Sequence, residues 1–69
     1  MSIVTITVEL SAATAWDLAQ FIKRVRFDQC YELTDCGQSR AEREDQAYRM
    51  INGLNKVADA LRDVGYAPR

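Results

Sequence analysis

The side chains that most often carry chemistry in small proteins are scarce in this sequence. It contains no histidine, which removes the commonest general base, the commonest metal ligand and every nucleophile that needs a histidine partner. Five of its ten carboxylates fall where helix structure explains them, at a helix start (Glu42, Glu44, Asp45) or on a polar helix face (Asp59, Asp63). We therefore predict no catalytic residue and no enzyme.

Two cysteines, Cys30 and Cys36, are the only thiols. Their spacing is wider than the two-residue gap of zinc knuckles, and two thiols alone cannot complete a four-coordinate zinc site. A bridge between them is not expected to persist in a reducing compartment. We expect free thiols in a loop, with no metal and no other cofactor; a thiolate site shared by two protomers is the alternative.

One basic cluster, formed by Lys23, Arg24 and Arg26, closes the first predicted helix. Cations at that end complement the helix dipole, and charge clusters at helix ends are commonly just solvated. The functional alternative is a contact for phosphate or for an acidic partner. Both interpretations stay open at this point.

Length and charge limit the classes of protein that remain. A chain of 69 residues has room for one domain, and such a domain buries only about 60% of its unfolded surface. A net charge of -1 lacks the footprint of a non-specific nucleic-acid or membrane binder. No apolar run approaches the roughly 18 residues of a membrane span, and the N-terminus does not resemble a signal peptide. We therefore expect a cytoplasmic protein without a membrane partner.

The N-terminal segment, residues 3–10, alternates in polarity. Val4, Ile6, Val8 and Leu10 occupy one side; Thr5, Thr7 and Glu9 occupy the other. Period-two alternation of β-branched residues predicts a half-buried strand.

Two amphipathic helices are predicted after the strand. The first, residues 12–26, follows Ser11 as N-cap. A connecting loop is predicted for residues 27–38. The second helix, residues 40–64, starts at a capping box formed by Ser39 and Glu42, and Gly65 is suited to terminate it.

The expected fold is thus α+β, a β-α-α order in one domain, 1–69. A lone strand leaves both edges unpaired, so its partner would be a short strand at Cys30–Leu33 or the same strand of a second copy. The second helix spans roughly 37 Å and the first roughly 22 Å, so Leu61 and Val64 would be exposed on the overhang. A homodimer would cover both features.

Four short segments carry a family resemblance: Ile6–Leu10, Leu18–Val25, Gln46–Met50 and Gly65–Arg69. Together they resemble a family of short uncharacterised bacterial proteins often carried by mobile elements. The resemblance covers most of the chain and implies a shared architecture, but no activity and no site residues.

The strand and two helices also resemble ribbon-helix-helix repressors. That resemblance implies paired strands that enter the major groove, with Thr5, Thr7 and Glu9 facing the bases. Two threonines could contact bases, but Glu9 repels phosphate and no Lys or Arg lies on the strand. The connecting loop is also much longer than the tight turn of that family.

Two functional hypotheses follow. The first is a small non-enzymatic protein-interaction module from a phage or mobile element, with an anti-CRISPR-like inhibitor of a host defence complex as a specific form. The alternative is a DNA-binding repressor, and nucleic acid is not the favoured partner. The candidate interaction surface comprises Lys23, Arg24, Arg26, Thr5, Thr7, Leu61 and Val64.

Overall fold

Three helices and their connecting segments make up residues 2–67, the part of the chain described by the computed structural model. The helices are α1 (Ala12–Arg24), α2 (Phe27–Glu32) and α3 (Arg40–Asp63). Residues 2–67 contain no strand and no sheet. The predicted α+β class is therefore wrong, and the described fold is all helical.

The predicted strand, residues 3–10, forms neither strand nor helix. Its alternating β-branched residues favour an extended backbone, but a strand exists only when a second one completes its hydrogen-bond ladder. The expected partner within the chain, Cys30–Leu33, lies in α2 and at its C-cap. The described residues therefore offer nothing for the N-terminal segment to pair with.

Helix α1 begins as predicted at Ser11, whose side chain accepts a hydrogen bond from the backbone N–H of Thr14 at 3.2 Å. It ends at Arg24, two residues earlier than expected, because Val25 turns to an extended conformation with ψ 140°. The N–H of Val25 still donates to the Phe21 carbonyl at 2.9 Å. Arg26 is also extended, so the chain leaves the axis of α1 there.

Helix α2 occupies the first half of the segment that was predicted to be a loop. The Gln29 side chain accepts a hydrogen bond from the Arg26 backbone N–H at 2.9 Å, which satisfies one of the free donors at the helix start. Asp28 lies in the first turn, where a carboxylate is favoured by the helix dipole. Local capping therefore supports a helix of only six residues.

Helix α3 has well-defined ends. The Ser39 side chain accepts from the Glu42 backbone N–H at 3.3 Å. At the other end the backbone N–H of Tyr66 donates to the Leu61 carbonyl at 2.8 Å, and that of Gly65 to the Arg62 carbonyl at 3.0 Å. This is the Schellman motif, which needs a left-handed residue, and Gly65 supplies it with φ 99°.

The two shorter helices pack on different parts of α3. Helix α1 contributes Ala15, Ala19 and Ile22 to a core closed by Leu61 of α3, with Leu54 partly buried beside it. Helix α2 and the turn after it bind the N-terminal half of α3 through polar and aromatic contacts. The C-terminal end of α3 is thus covered by α1 on the side of Leu61, whereas Val64 on that end stays exposed as expected; the homodimer stays a prediction.

Candidate interaction surface

A groove of about 580 Å³ separates the N-terminal segment from the C-terminal end of α3. We call it the N-terminal groove. Residues 6–10 line one wall, and Val57, Ala60 and Val64 line the other. Leu61 lies at the base of the groove, where it is buried against α1.

Most of the exposed apolar surface of the molecule belongs to this region. Eleven large hydrophobic side chains are exposed in residues 2–67, and seven of them lie on the N-terminal segment or on the groove side of α3. Ile6 is 72% exposed, Val8 67% and Val64 69%. Contiguous exposure of this kind marks interaction sites, whereas single exposed hydrophobics need no explanation.

The groove is weakly charged. Glu9 is the only charged residue in its lining, and Thr7 contributes a hydroxyl. An apolar wall with few polar groups favours a ligand that buries hydrocarbon over one that brings phosphate or carboxylate groups. The chemistry of the groove therefore suits a partner with an apolar surface.

The predicted interaction residues divide between this groove and other regions. Thr7, Leu61 and Val64 come together in the groove. Leu61 was expected to be exposed but is only 7% accessible, because the Schellman motif folds Tyr66 back towards the core that Leu61 helps to form. Thr5 is exposed and lies outside the lining of the groove.

The three predicted cations border different parts of the surface. Lys23 lines a hollow beside Asn55 and Arg62, and Arg24 lines another that also contains Asp17. Arg26 is exposed at the start of α2. A contact of these cations with phosphate or with an acidic partner stays a prediction.

The two thiols differ in solvent exposure. Cys30 is buried in α2, whereas Cys36 is exposed in the turn that follows. Within residues 2–67, no three side chains of the His, Cys, Asp or Glu type come together in a way that could hold a metal ion.

A polar network at the opposite end of α3 was not foreseen from the sequence. Arg43 donates to the Thr34 hydroxyl at 2.7 Å and to the Tyr31 carbonyl at 3.2 Å, and its guanidinium lies 4.5 Å from the centre of the Tyr31 ring. Gln46 also links α3 to the turn after α2, because its side chain accepts a hydrogen bond from the Asp35 backbone N–H at 3.2 Å. These contacts attach α2 to α3, and an arginine in an amphipathic helix gives no sequence signal for such a role.

The groove residues that sequence reasoning missed include Ile6, Val8, Val57 and Ala60. Ile6 and Val8 were assigned to the buried face of a strand, and Ala60 to no surface at all. The alternation did identify the apolar side chains correctly. Without a second strand, nothing covers them.

The fold and this surface define a small three-helix protein with an exposed apolar groove at one end. The chain belongs to a family of unknown function, DUF7706, whose profile matches residues 1–69. No curated protein and no solved structure matches the chain. None of the helices described in residues 2–67 is both long and apolar enough to cross a membrane. The expected membership in an uncharacterised family is confirmed, and the mobile-element origin stays a prediction.

Proposed function

We propose that this chain is a protein-interaction module that binds its partner in the N-terminal groove. The observation that carries the proposal is the exposed apolar surface shared by Ile6, Val8 and Val64 on the two sides of that groove. Burial of such side chains releases about 25 cal/mol for each Å² of apolar area removed from water. A partner that covers the groove gains this free energy.

The total surface area supports the same proposal. The chain exposes 5819 Å², whereas a compact monomer of 7.8 kDa exposes about 4,400 Å². The excess of about 1,400 Å² exceeds the about 800 Å² that each partner buries in an interface of standard size. The chain therefore carries enough uncovered surface for one stable interface.

The composition argues for binding in preference to catalysis. The sequence has no histidine, and the groove lining offers Glu9 as its one ionisable side chain besides Tyr66. A general acid and a general base need two groups held at hydrogen-bond distance from one substrate. Among the described residues, the lining of the groove provides no such pair of acid and base groups.

Site-specific photo-crosslinking in the native host tests the proposal. A photoreactive amino acid replaces Val8 in the groove, and in a control it replaces Glu42, which is exposed at the far end of α3. We expect discrete adducts from position 8 that are absent from position 42 and disappear when Ile6→Asp is added. Equal labelling from both positions, or no adduct, would contradict the proposal.

The more specific hypotheses stay predictions. An inhibitor of a host defence complex would give an adduct with a subunit of that complex and would lower its activity. The alternative of a DNA-binding repressor depended on paired strands, and residues 2–67 form none, so no observation favours it here. A salt-sensitive shift of DNA at low ionic strength would be the evidence for it.

A further inference from the structure

The α3 wall of the N-terminal groove, formed by Val57, Ala60 and Val64, continues beyond the groove to Gly53 with the spacing of a coiled-coil seam. Gly53, Val57, Ala60 and Val64 follow each other at intervals of four, three and four residues, the interval pattern of the a and d positions in a heptad. All four are exposed, and a Cβ placed on Gly53 would meet nothing within 4 Å. We call these four residues the α3 seam. A seam of this kind packs against another helix, and no helix of residues 2–67 covers it.

The side-chain sizes along the α3 seam are complementary to those along a second α3 seam that runs in the antiparallel direction. If a second α3 runs antiparallel, Gly53 faces the partner's Val64 and Val57 faces the partner's Ala60. The two-fold axis generates two more layers of the same composition. Each of the four layers therefore combines one small residue with one valine. Alternation of large and small side chains across an interface is how facing layers fill space without voids.

The charges beside the α3 seam fit the same arrangement. Lys56 and Asp63 immediately precede Val57 and Val64, which places them at the g position, next to the g residues of an antiparallel partner. In the antiparallel register Lys56 therefore lies beside the partner's Asp63, and the symmetry axis repeats the pair. Neither residue forms an ion pair with another residue in 2–67.

A parallel pairing of the same seams is less favourable. It places Gly53 against the partner's Gly53 and Ala60 against the partner's Ala60, so two of the four layers contain no large side chain. It also leaves Lys56 beside the partner's Leu61, where the ammonium has no carboxylate partner. Unfilled layers lose dispersion contacts outright, so size and charge both select the antiparallel arrangement.

We propose that the partner in the N-terminal groove is a second copy of this chain, held by antiparallel packing of the two α3 seams. This inference rests on the proposed function, because it names the partner for the same groove. Ile6 and Val8 on the opposite wall then lie over the partner's helix, so the N-terminal segment is covered without forming a strand. The chain as a whole, with 5819 Å² exposed, exposes about 1,400 Å² more than a compact monomer of its mass, which exceeds the about 800 Å² that a standard interface needs.

The first test measures the mass of the full chain in solution by light scattering over a dilution series. We expect a dimer of twice 7.8 kDa that dissociates on dilution. Gly53→Gln places a long side chain against the partner's Val64 in two layers, so the dissociation constant should rise at least about tenfold. The matched control, Asn52→Gln, changes an exposed residue outside the seam and should leave the dissociation constant unchanged.

A charge exchange makes the test specific for the antiparallel register. Lys56→Asp alone and Asp63→Lys alone each place like charges together at two positions, and each should weaken the dimer about tenfold. The double exchange restores opposite charges between the chains and should recover the original dissociation constant. Within one helix the two residues are roughly 10 Å apart along the axis, so a recovery reports contacts between chains.

Two results would overturn the inference. One is a helical chain that stays monomeric at every concentration, and the other is a dimer in which the double exchange fails to recover the affinity lost by the single changes. Circular dichroism of each variant separates loss of association from loss of folding. In either case, adducts between position 8 and a different protein would leave the proposed function intact, whereas absence of all adducts would remove it.

Discussion

The two ends of α3 are held to the rest of the molecule by different kinds of contact. At the N-terminal end, α2 and the turn after it are fixed by hydrogen bonds that Arg43 donates and Gln46 accepts, and by the Phe27 and Tyr48 rings, whose centres are 4.7 Å apart. At the C-terminal end, α1 is fixed by a small apolar core around Ile22 and Leu61. Directional polar and aromatic contacts hold the first end, and burial of apolar side chains holds the second.

This difference explains where the exposed apolar surface lies. Directional hydrogen bonds are complete once each donor has its acceptor, and the buried Thr34 hydroxyl both donates and accepts within the network. Apolar packing does not saturate in this way, because covering any exposed hydrocarbon beside the core still lowers the free energy. The hydrogen bonds of Arg43 and Thr34 at the polar end of α3 are therefore satisfied within the monomer, although the buried Gln38 side-chain oxygen has no partner in the described residues, whereas the apolar end continues into the groove.

The largest effect is expected in the apolar core. Ile22 is buried between α1 and α3, and Ile22→Ala should lower the free energy of unfolding by about 3 kcal/mol because it leaves a cavity. The neighbouring Phe21→Ala is the control, since Phe21 is exposed and its loss should cost under about 0.5 kcal/mol. Urea unfolding of the dilute chain, followed by circular dichroism, measures both. Equal costs would mean that the core does not hold α1 in place.

At the polar end, Arg43→Ala should lower the free energy of unfolding by about 2 kcal/mol. The change removes charge-assisted hydrogen bonds to Thr34 and Tyr31 and the contact over the Tyr31 ring. Arg40→Ala is the matched control, because Arg40 makes only an exposed ion pair with Glu44 and should cost under about 0.5 kcal/mol. If the two arginines proved equivalent, the contrast between the two ends of α3 would fail.

The end of α3 gives a smaller effect. Gly65→Ala forces a residue with a Cβ into the left-handed conformation of the Schellman motif, which should lower the free energy of unfolding by about 1 kcal/mol. Gly37→Ala is the control, because Gly37 has no positive φ and no neighbour within 4 Å of an added Cβ. It should be neutral or slightly stabilising. A neutral Gly65→Ala would contradict the assigned helix end.

The smallest effect on folding is expected where the effect on binding is largest. Ile6→Ser and Val8→Ser change exposed side chains and should each alter the free energy of unfolding of the monomer by under about 0.5 kcal/mol. The same changes should reduce association or crosslinking through the groove. A cost of 1 kcal/mol or more in the monomer would show that the N-terminal segment belongs to the packed fold.

Local signals in the sequence located several features of the fold correctly. Ser11 and Ser39 cap the two longer helices, and Gly65 ends the second of them. Caps involve residues within three or four positions of each other, so they can be recognised without knowledge of the tertiary structure. Helix α2 also had a signal, because Phe27, Cys30 and Tyr31 follow helical spacing, but the stretch was too short to stand out between turn-forming residues.

The sequence by itself determined which side chains are apolar, where the two long helices begin, that the second of them ends at Gly65, and that histidine chemistry is absent. Tertiary structure decided what covers those apolar side chains. The same alternation of apolar and polar residues can occur in a strand, in a buried seam or in the wall of an exposed groove. Which of these forms depends on whether another segment supplies the missing hydrogen bonds or the facing surface. Residues 3–10 found no ladder partner in the described chain, so a pattern that predicts a buried strand forms one wall of an exposed groove.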